Sequence, residues 1–249
     1  MKRPLLLELF LSLILLLGTC YAAEFRQFDR STGFFSPSDR IYAFLFNDKD
    51  FKFVVLDERD MTQPHFGTLE EAMKRTNCVA GVNGCFFGAA PQGPPLGLVI
   101  QNSRQIAPFA SGSFTVAGVI YDNGRSISMM RSKQYAGLKS KVSPINALQG
   151  GPFLVERGKA ITGLNAEKST NRTFVATDGK GNWCIAMTSS LTLAELANWL
   201  ATPKALGDFN VFLALNLDGG TSSAFWCQSP RVSLPSMKRV RNYLGVAPR

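Results

Sequence analysis

From Ile41 to the C-terminus, short runs of β-branched and aromatic residues alternate with clusters of Gly, Asn, Asp and Pro. Such runs are too short for long amphipathic helices, and the clusters between them carry turn chemistry. Residues 41–46 and 51–56 flank Asn47-Asp48-Lys49-Asp50 and read as a hairpin. Short strands are expected at 79–82, 97–100, 113–121 and 126–130, the last two joined by the Asp122-Asn123-Gly124 turn. A strand over 146–155 is interrupted at Gly150-Gly151-Pro152 and ends at an Arg157-Gly158-Lys159 turn. Residues 172–177 and 183–188 flank Asp178-Gly179-Lys180-Gly181-Asn182 as a second hairpin. A buried strand over 211–217 runs directly into Asp218-Gly219-Gly220.

Two helices interrupt this pattern. Thr68 with Glu71, and Thr192 with Glu195, have the spacing in which each side chain satisfies a free backbone N–H at a helix start. Leu193, Leu196, Ala197 and Leu200 then fall on one face. Strands and helices do not alternate regularly, which argues against a doubly wound sheet. The expected fold is α+β: strand-rich mixed sheet or sheets with a few flanking helices. Residues 24–249 contain no linker-like stretch or internal repeat, so they form a single domain. The 19 Phe supply the large side chains that its core needs.

The first 23 residues stand apart. Lys2 and Arg3 precede an apolar run from Leu9 to Leu17, followed by Gly18-Thr19-Cys20-Tyr21-Ala22-Ala23, the order of a secretory signal peptide. The run falls short of the roughly 20 apolar residues of a membrane-spanning helix. The chain is therefore expected to be exported, to a periplasm or its equivalent. Lipidation at Cys20, giving a lipoprotein anchor, and retention of an uncleaved signal are the two routes to a membrane tether.

Cys78, Cys85, Cys184 and Cys227 remain, an even number that permits two disulfides in an oxidising compartment. Burial as free thiols is the competing reading. There is no C-x-x-C pair and His65 is the sole histidine, so a zinc site is not expected. The net charge of +9 would suit an anionic partner. The basic residues are scattered, however, and even the densest cluster, Lys238-Arg239-Arg241, reads as solvated surface. Export argues against nucleic acid.

Candidate chemistry lies where glycines meet polar residues at strand ends, because such loops present functional groups on a rigid scaffold. Asp218 enters a glycine turn followed by Thr221, Ser222 and Ser223, whose N–H groups suit an anion. Asp218 is a candidate proton donor, nucleophile or ligand for a divalent cation, and an ordinary Asp-Gly turn is the bland alternative. Asn83, before Gly84 and the Phe86-Phe87 pair, offers a donor and an acceptor, or a simple Asn-Gly hairpin turn. Arg172 offers a planar fork suited to phosphate, or an ordinary strand-end surface residue. A serine triad is excluded, with one histidine and no G-x-S-x-G; so is a phosphate loop, with no G-x-x-x-x-G-K.

Asn83-Gly84-Cys85-Phe86-Phe87, Pro95-Leu96-Gly97-Leu98, Gln149-Gly150-Gly151-Pro152, Asn171-Arg172-Thr173, Leu217-Asp218-Gly219-Gly220-Thr221-Ser222-Ser223 and Arg239-Val240-Arg241-Asn242-Tyr243-Leu244 occur in order. In that order and spacing they resemble the phosphodiester glycosidase family, that of the lysosomal mannose 6-phosphate uncovering enzyme, which has exported bacterial members. The resemblance implies hydrolysis of a sugar-1-phosphodiester, with a phosphorylated carbohydrate as partner. It implies catalytic roles for Asp218, Arg172 and Asn83, and substrate binding by Gly84, Gln149, Gly151, Gly219, Gly220, Thr221 and Ser222. Arg172 would hold the phosphate with N–H groups of the 219–222 turn. Asp218 would stabilise the anomeric centre or activate water, and Asn83 would fix a sugar hydroxyl or the phosphate. Glu156 and Asp178 are the candidates for a second carboxylate, though both lie at hairpin turns. Cys85 and Thr221 stand where the family usually has glycine, which leaves the substrate open. The rival readings are a non-catalytic envelope carbohydrate-binding module and a phosphodiesterase that cleaves the P–O bond.

Overall fold

The computed structural model describes residues 23–29, 40–58, 67–89 and 93–249. The expected signal segment through Ala22, Cys20 and His65 lie outside them. The chain begins with strands β1 (Glu24–Asp29), β2 (Arg40–Asn47) and β3 (Phe51–Asp57), helix α1 (Leu69–Arg75), and strands β4 (Ala80–Asn83), β5 (Val99–Gln101) and β6 (Arg104–Ala107). It continues with β7 (Gly118–Asp122), β8 (Ile127–Arg131), helix α2 (Ser132–Leu138), β9 (Asn146–Gly150), β10 (Phe153–Glu156) and β11 (Lys159–Ala160). The last part holds β12 (Thr170–Thr177), β13 (Asn182–Leu191), helix α3 (Leu193–Leu200), β14 (Leu213–Asn216), β15 (Phe225–Cys227), β16 (Val232–Leu234) and β17 (Asn242–Pro248).

These strands form three antiparallel sheets. Their orders are β1-β2-β13-β12-β14-β10-β11, β16-β15-β4-β17-β3 and β6-β5-β9-β7-β8. Side-chain alternation along each strand divides the apolar residues between two faces. Phe44, Ile185 and Leu215 of the first sheet meet Phe53, Val82 and Val246 of the second, and Val99, Ile120 and Leu148 of the third, in one shared core. Each opposite face carries a helix. Leu193, Leu196, Ala197 and Leu200 of α3 cover Ala43, Phe174 and Ala186. Leu69, Ala72 and Met73 of α1 cover Leu56, Trp226 and Tyr243. Tyr135 of α2 packs with Val119, Tyr121 and Ala147. This is the expected α+β, strand-rich architecture. Both expected capping boxes are formed, by Thr68 with Glu71 and by Thr192 with Glu195.

Several local expectations are corrected. β2 and β3 are not a hairpin: β2 pairs with β1 and β13, whereas β3 pairs with β17 in another sheet. The polar turn does reverse the chain, with Asn47 Oδ1 accepting from Lys49 N. Its Asp48, however, accepts from Ile127 N and Trp183 Nε1 and donates its own N–H to Gly181 O, so it anchors a passage between sheets. Residues 146–155 are two strands, because the chain leaves the third sheet after Gly150 and enters the first at Phe153. Residues 113–121 begin with a 3-10 turn (Phe114–Val116) before β7. The two other expected hairpins form, β7 with β8 and β12 with β13. The four cysteines are free and buried, so the disulfide expectation is withdrawn. They pack as small apolar groups, Cys85 and Cys227 in the shared core, Cys184 beneath α3 and Cys78 beneath α1. No described helix is long and apolar enough to cross a membrane.

Candidate active site

Antiparallel pairing brings two of the three expected catalytic residues together. β12 and β14 are neighbours with Phe174 opposite Asn216, and Leu217 N donates to Thr173 O at 2.8 Å. Continued one step, this register sets the Arg172 backbone against that of Asp218, 46 positions away in sequence. The Asp218–Gly219 backbone leaves the sheet here, and a Cβ on Gly219 would lie 2.9 Å from Asn171 O. Glycine therefore lets the turn sit directly on the start of β12.

Asn83 ends β4 and reaches the same turn from the second sheet. Its Nδ2 donates to Asp218 O at 2.7 Å and more weakly to Gly84 O at 3.4 Å. Its Oδ1 accepts from Thr173 Oγ1 at 2.7 Å and Ala224 N at 3.0 Å. An amide has two donors and two acceptor lone pairs, and all four are engaged. The side chain is 0% exposed. The Asn83 side chain thereby ties β4, β12 and the Asp218 turn into one rigid unit. Asp218 N completes the tie by donating to Gly84 O. The Asn-Gly hairpin alternative also falls, since β4 pairs with β15 and β17 on either side.

Asp218 itself is half-buried. Burial pushes its carboxyl above the ordinary range, and the opposing influences are the Ser222 hydroxyl, the Lys238 ammonium and the Gly219 N–H, which donates to Oδ1 at 2.9 Å. Among the described residues no second carboxylate influences it. Ser222 Oγ is buried and faces this carboxyl, favouring its charged form, though the contact falls outside ordinary hydrogen-bond geometry. Among the described residues Asn216 Oδ1 and Ser223 Oγ, both in the segment around Asp218, are likewise buried without a partner of ordinary geometry. Native interiors seldom leave polar atoms unpaired, so their concentration here marks a site rather than a packing fault.

Arg172 is 8% exposed and anchored by main-chain carbonyls: Nε donates to Leu191 O at 2.8 Å and Nη2 to Lys168 O at 2.6 Å. Burial lowers its pKa, and no carboxylate is paired with it among the described residues. Nη1 would lie 3.9 Å from a Cβ placed on Gly219, so the unengaged end of the guanidinium faces the turn. Five N–H donors less two leave three for a ligand.

The remaining expected residues divide. Gln149 is buried and saturated: Oε1 accepts from Leu98 N and Ala110 N, and Nε2 donates to Ala110 O, Val116 O and Ser132 Oγ. These bonds make Gln149 join loops around the third sheet. Gly84 and Gly151 are backbone contacts too. A Cβ on the first would strike Asn242 Oδ1, and one on the second Phe114 O. Within the 219–222 turn the N–H groups of Ser222 and Ser223 are taken by Gly219 O and Gly220 O. Those of Gly220 and Thr221 make no hydrogen bond to described groups, so the turn's supply of donors is smaller than expected. Glu156 pairs with Arg131, and Asp178 closes its own turn on Lys180 N and Asn182 N, so neither is a second carboxylate for the site.

Two residues at the site were not among those expected. Thr221 O accepts from Met237 N at 2.9 Å and Lys238 N at 3.3 Å, which fixes the 237–238 segment over the turn. Lys238 Nζ then lies 4.9 Å from the centre of the Phe87 ring. The basic cluster and the Phe86-Phe87 pair are both visible in the sequence, but only the tertiary contact joins them. Among the described residues no three His, Cys, Asp or Glu side chains converge as a metal cluster, so Asp218 would be the single such ligand for a divalent cation.

The zebrafish N-acetylglucosamine-1-phosphodiester alpha-N-acetylglucosaminidase catalytic domain, auto-inhibited by its pro-peptide, has a similar fold. Its TM-score is 0.65 at 15% identity, over 92% of this chain and 83% of that one. A hypothetical protein from Synechocystis is similar at TM-score 0.60 and 14% identity, over 91% of this chain and 62% of that one. No curated protein sequence matches significantly. The phosphodiester glycosidase family model matches residues 76–247, which include every strand and turn of the site just described. The chain belongs to the phosphodiester glycosidase family.

Proposed function

We propose that this chain is an exported hydrolase that cleaves a sugar-1-phosphodiester at the bond between the anomeric carbon and oxygen. The observation that carries this reading is Arg172: a buried guanidinium, held by two carbonyls, with no carboxylate partner and its free donors turned toward the Asp218 turn. A buried cation without a counter-charge is costly unless a ligand supplies one. A phosphodiester supplies one negative charge and accepts the guanidinium fork.

The single carboxylate fits the same chemistry. Ordinary glycosidases use two, one of them to protonate the leaving oxygen. A phosphate monoester leaves without that help, so one carboxylate is enough. Asp218 takes a proton from water as the water oxygen bonds to the anomeric carbon. The bond from that carbon to the phosphate oxygen breaks, its electron pair leaves with the phosphate, and Arg172 holds the departing charge. The raised pKa of Asp218 makes it the stronger base.

Hydrolysis in heavy-oxygen water tests the reading. The label is expected on the released sugar; label on the phosphate would assign the activity to P–O cleavage instead. No hydrolysis of any sugar-1-phosphodiester would favour a non-catalytic binding module. Export is proposed on the sequence of residues 1–23 and is tested by fractionating cells that express the full chain.

A further inference from the structure

Two cations border the Asp218 turn, and only one of them has a role in the reading above. Lys238 comes from the segment before β17, where Arg241, three residues on, is buried in an ion pair with Asp57 at 2.9 Å. Lys238 has no ion pair among the described residues. Its main chain is fastened to Thr221 O, so it moves with the Asp218 turn rather than with solvent. Its ammonium rests over the half-buried Phe87 ring, which holds a cation in place without neutralising it. The Lys238 ammonium favours the charged form of the Asp218 carboxyl, and Arg172 Nη1 would lie 3.9 Å from a Cβ on the neighbouring Gly219. The unengaged N–H groups of Gly220 and Thr221 belong to the turn between them.

We infer that Lys238 is a substrate-binding residue: it is the second anchor of the anionic phosphodiester group, held opposite Arg172 by the Phe87 ring and the Thr221 carbonyl. This rests on the hydrolase reading for the identity of the substrate, but not for the existence of an anion site. Two uncommitted cations and one carboxylate leave a surplus of one positive charge. A phosphodiester monoanion cancels that surplus, and the two cations grip it from both sides. Lys, a compact point charge on a flexible stem, suits this exposed edge, while the rigid Arg fork suits the buried one.

Lys238→Met and Lys238→Arg test the inference, because the exposed side chain can be changed without disturbing the core. The probe is inorganic phosphate, titrated into the wild-type and variant proteins by calorimetry. Lys238→Met is expected to weaken phosphate binding about tenfold and Lys238→Arg to restore it to within about threefold. In Lys238→Met the Asp218 carboxyl should also titrate at higher pH by carbon-13 NMR, a change that a purely structural lysine would not produce. On a sugar-1-phosphodiester, KM should rise about tenfold with kcat within about threefold. Unchanged phosphate affinity in Lys238→Met, or no phosphate binding by the wild type, overturns the inference. If the wild type hydrolyses nothing but Lys238→Met still loses phosphate affinity, the hydrolase reading fails and the anion site stands.

Discussion

Asn83 donates to the main-chain oxygen of Asp218 at 2.7 Å, so a strand of the second sheet holds the turn that ends a strand of the first. Replacing Asn83 with Ala would leave Thr173 Oγ1, Ala224 N and Asp218 O without partners in a fully buried place. The expected cost is about 2–4 kcal/mol in urea unfolding. Activity should fall with it, because the turn loses its anchor. An Asn83→Ala protein of wild-type stability would show that the tie is dispensable.

Asp218→Asn should separate activity from stability. Loss of the base is expected to lower kcat by about 100-fold or more. Burial raises the folded-state pKa of Asp218 above the ordinary Asp value, so the folded protein binds the proton more tightly than the unfolded chain. The wild type therefore loses stability as pH rises through that window, and keeps it below the unfolded pKa. Asp218→Asn should raise Tm by about 1–4 °C at pH 7, with the gain vanishing toward acid pH. A lowered Tm at pH 7 would mean that the carboxylate is favourably paired.

Reductant should leave Tm within about 1 °C, because no disulfide links Cys78, Cys85, Cys184 or Cys227. Burial pushes the Cys85 thiol up to about 12 and Cys78 up to about 11, and raises the other two as well. At pH 8 all four should resist alkylation until the protein unfolds, as read by mass spectrometry of labelled peptides. Fast labelling of any one in the native protein would contradict its burial.

Activity should survive chelation. Among the described residues no three His, Cys, Asp or Glu side chains converge at the site, and the step proposed above uses side-chain charges alone. Treatment with EDTA is expected to change the rate less than twofold. Complete loss, restored by magnesium, would make Asp218 a metal ligand rather than a base.

The sequence was most informative where the chemistry is local. Two capping boxes, the Asp122-Asn123-Gly124 and Asp178–Asn182 turns and the short apolar runs of β2, β12 and β13 are set by neighbours along the chain, and all were legible. Pairing across sheets was not. The Asn47–Asp50 turn carries hairpin chemistry, yet the strands it joins belong to different sheets, because a turn specifies reversal and not partners. The site shows the same division. Arg172 and Asp218 were read as candidates from the order of their motifs, and the pairing of β12 with β14 brings their backbones together. The saturation of Asn83 and Gln149 could not be read, since their partners are as many as 141 residues away in sequence. Lys238 was passed over because a basic cluster usually faces solvent, and only its contact with Phe87 distinguishes it from its neighbours.

The placement of β17 bears on the order in which the protein can be made. The third sheet needs nothing beyond residue 150, and can close while the rest of the chain is still being synthesised. The first sheet waits for β14, and the second for β17, which ends one residue before the C-terminus yet lies between β4 and β3. Until those last residues emerge, β3 has no partner and the shared core lacks Leu244 and Val246. β17 is thus an interior strand, and removing residues 242–248 would leave β3 without its partner and open the second sheet at its middle.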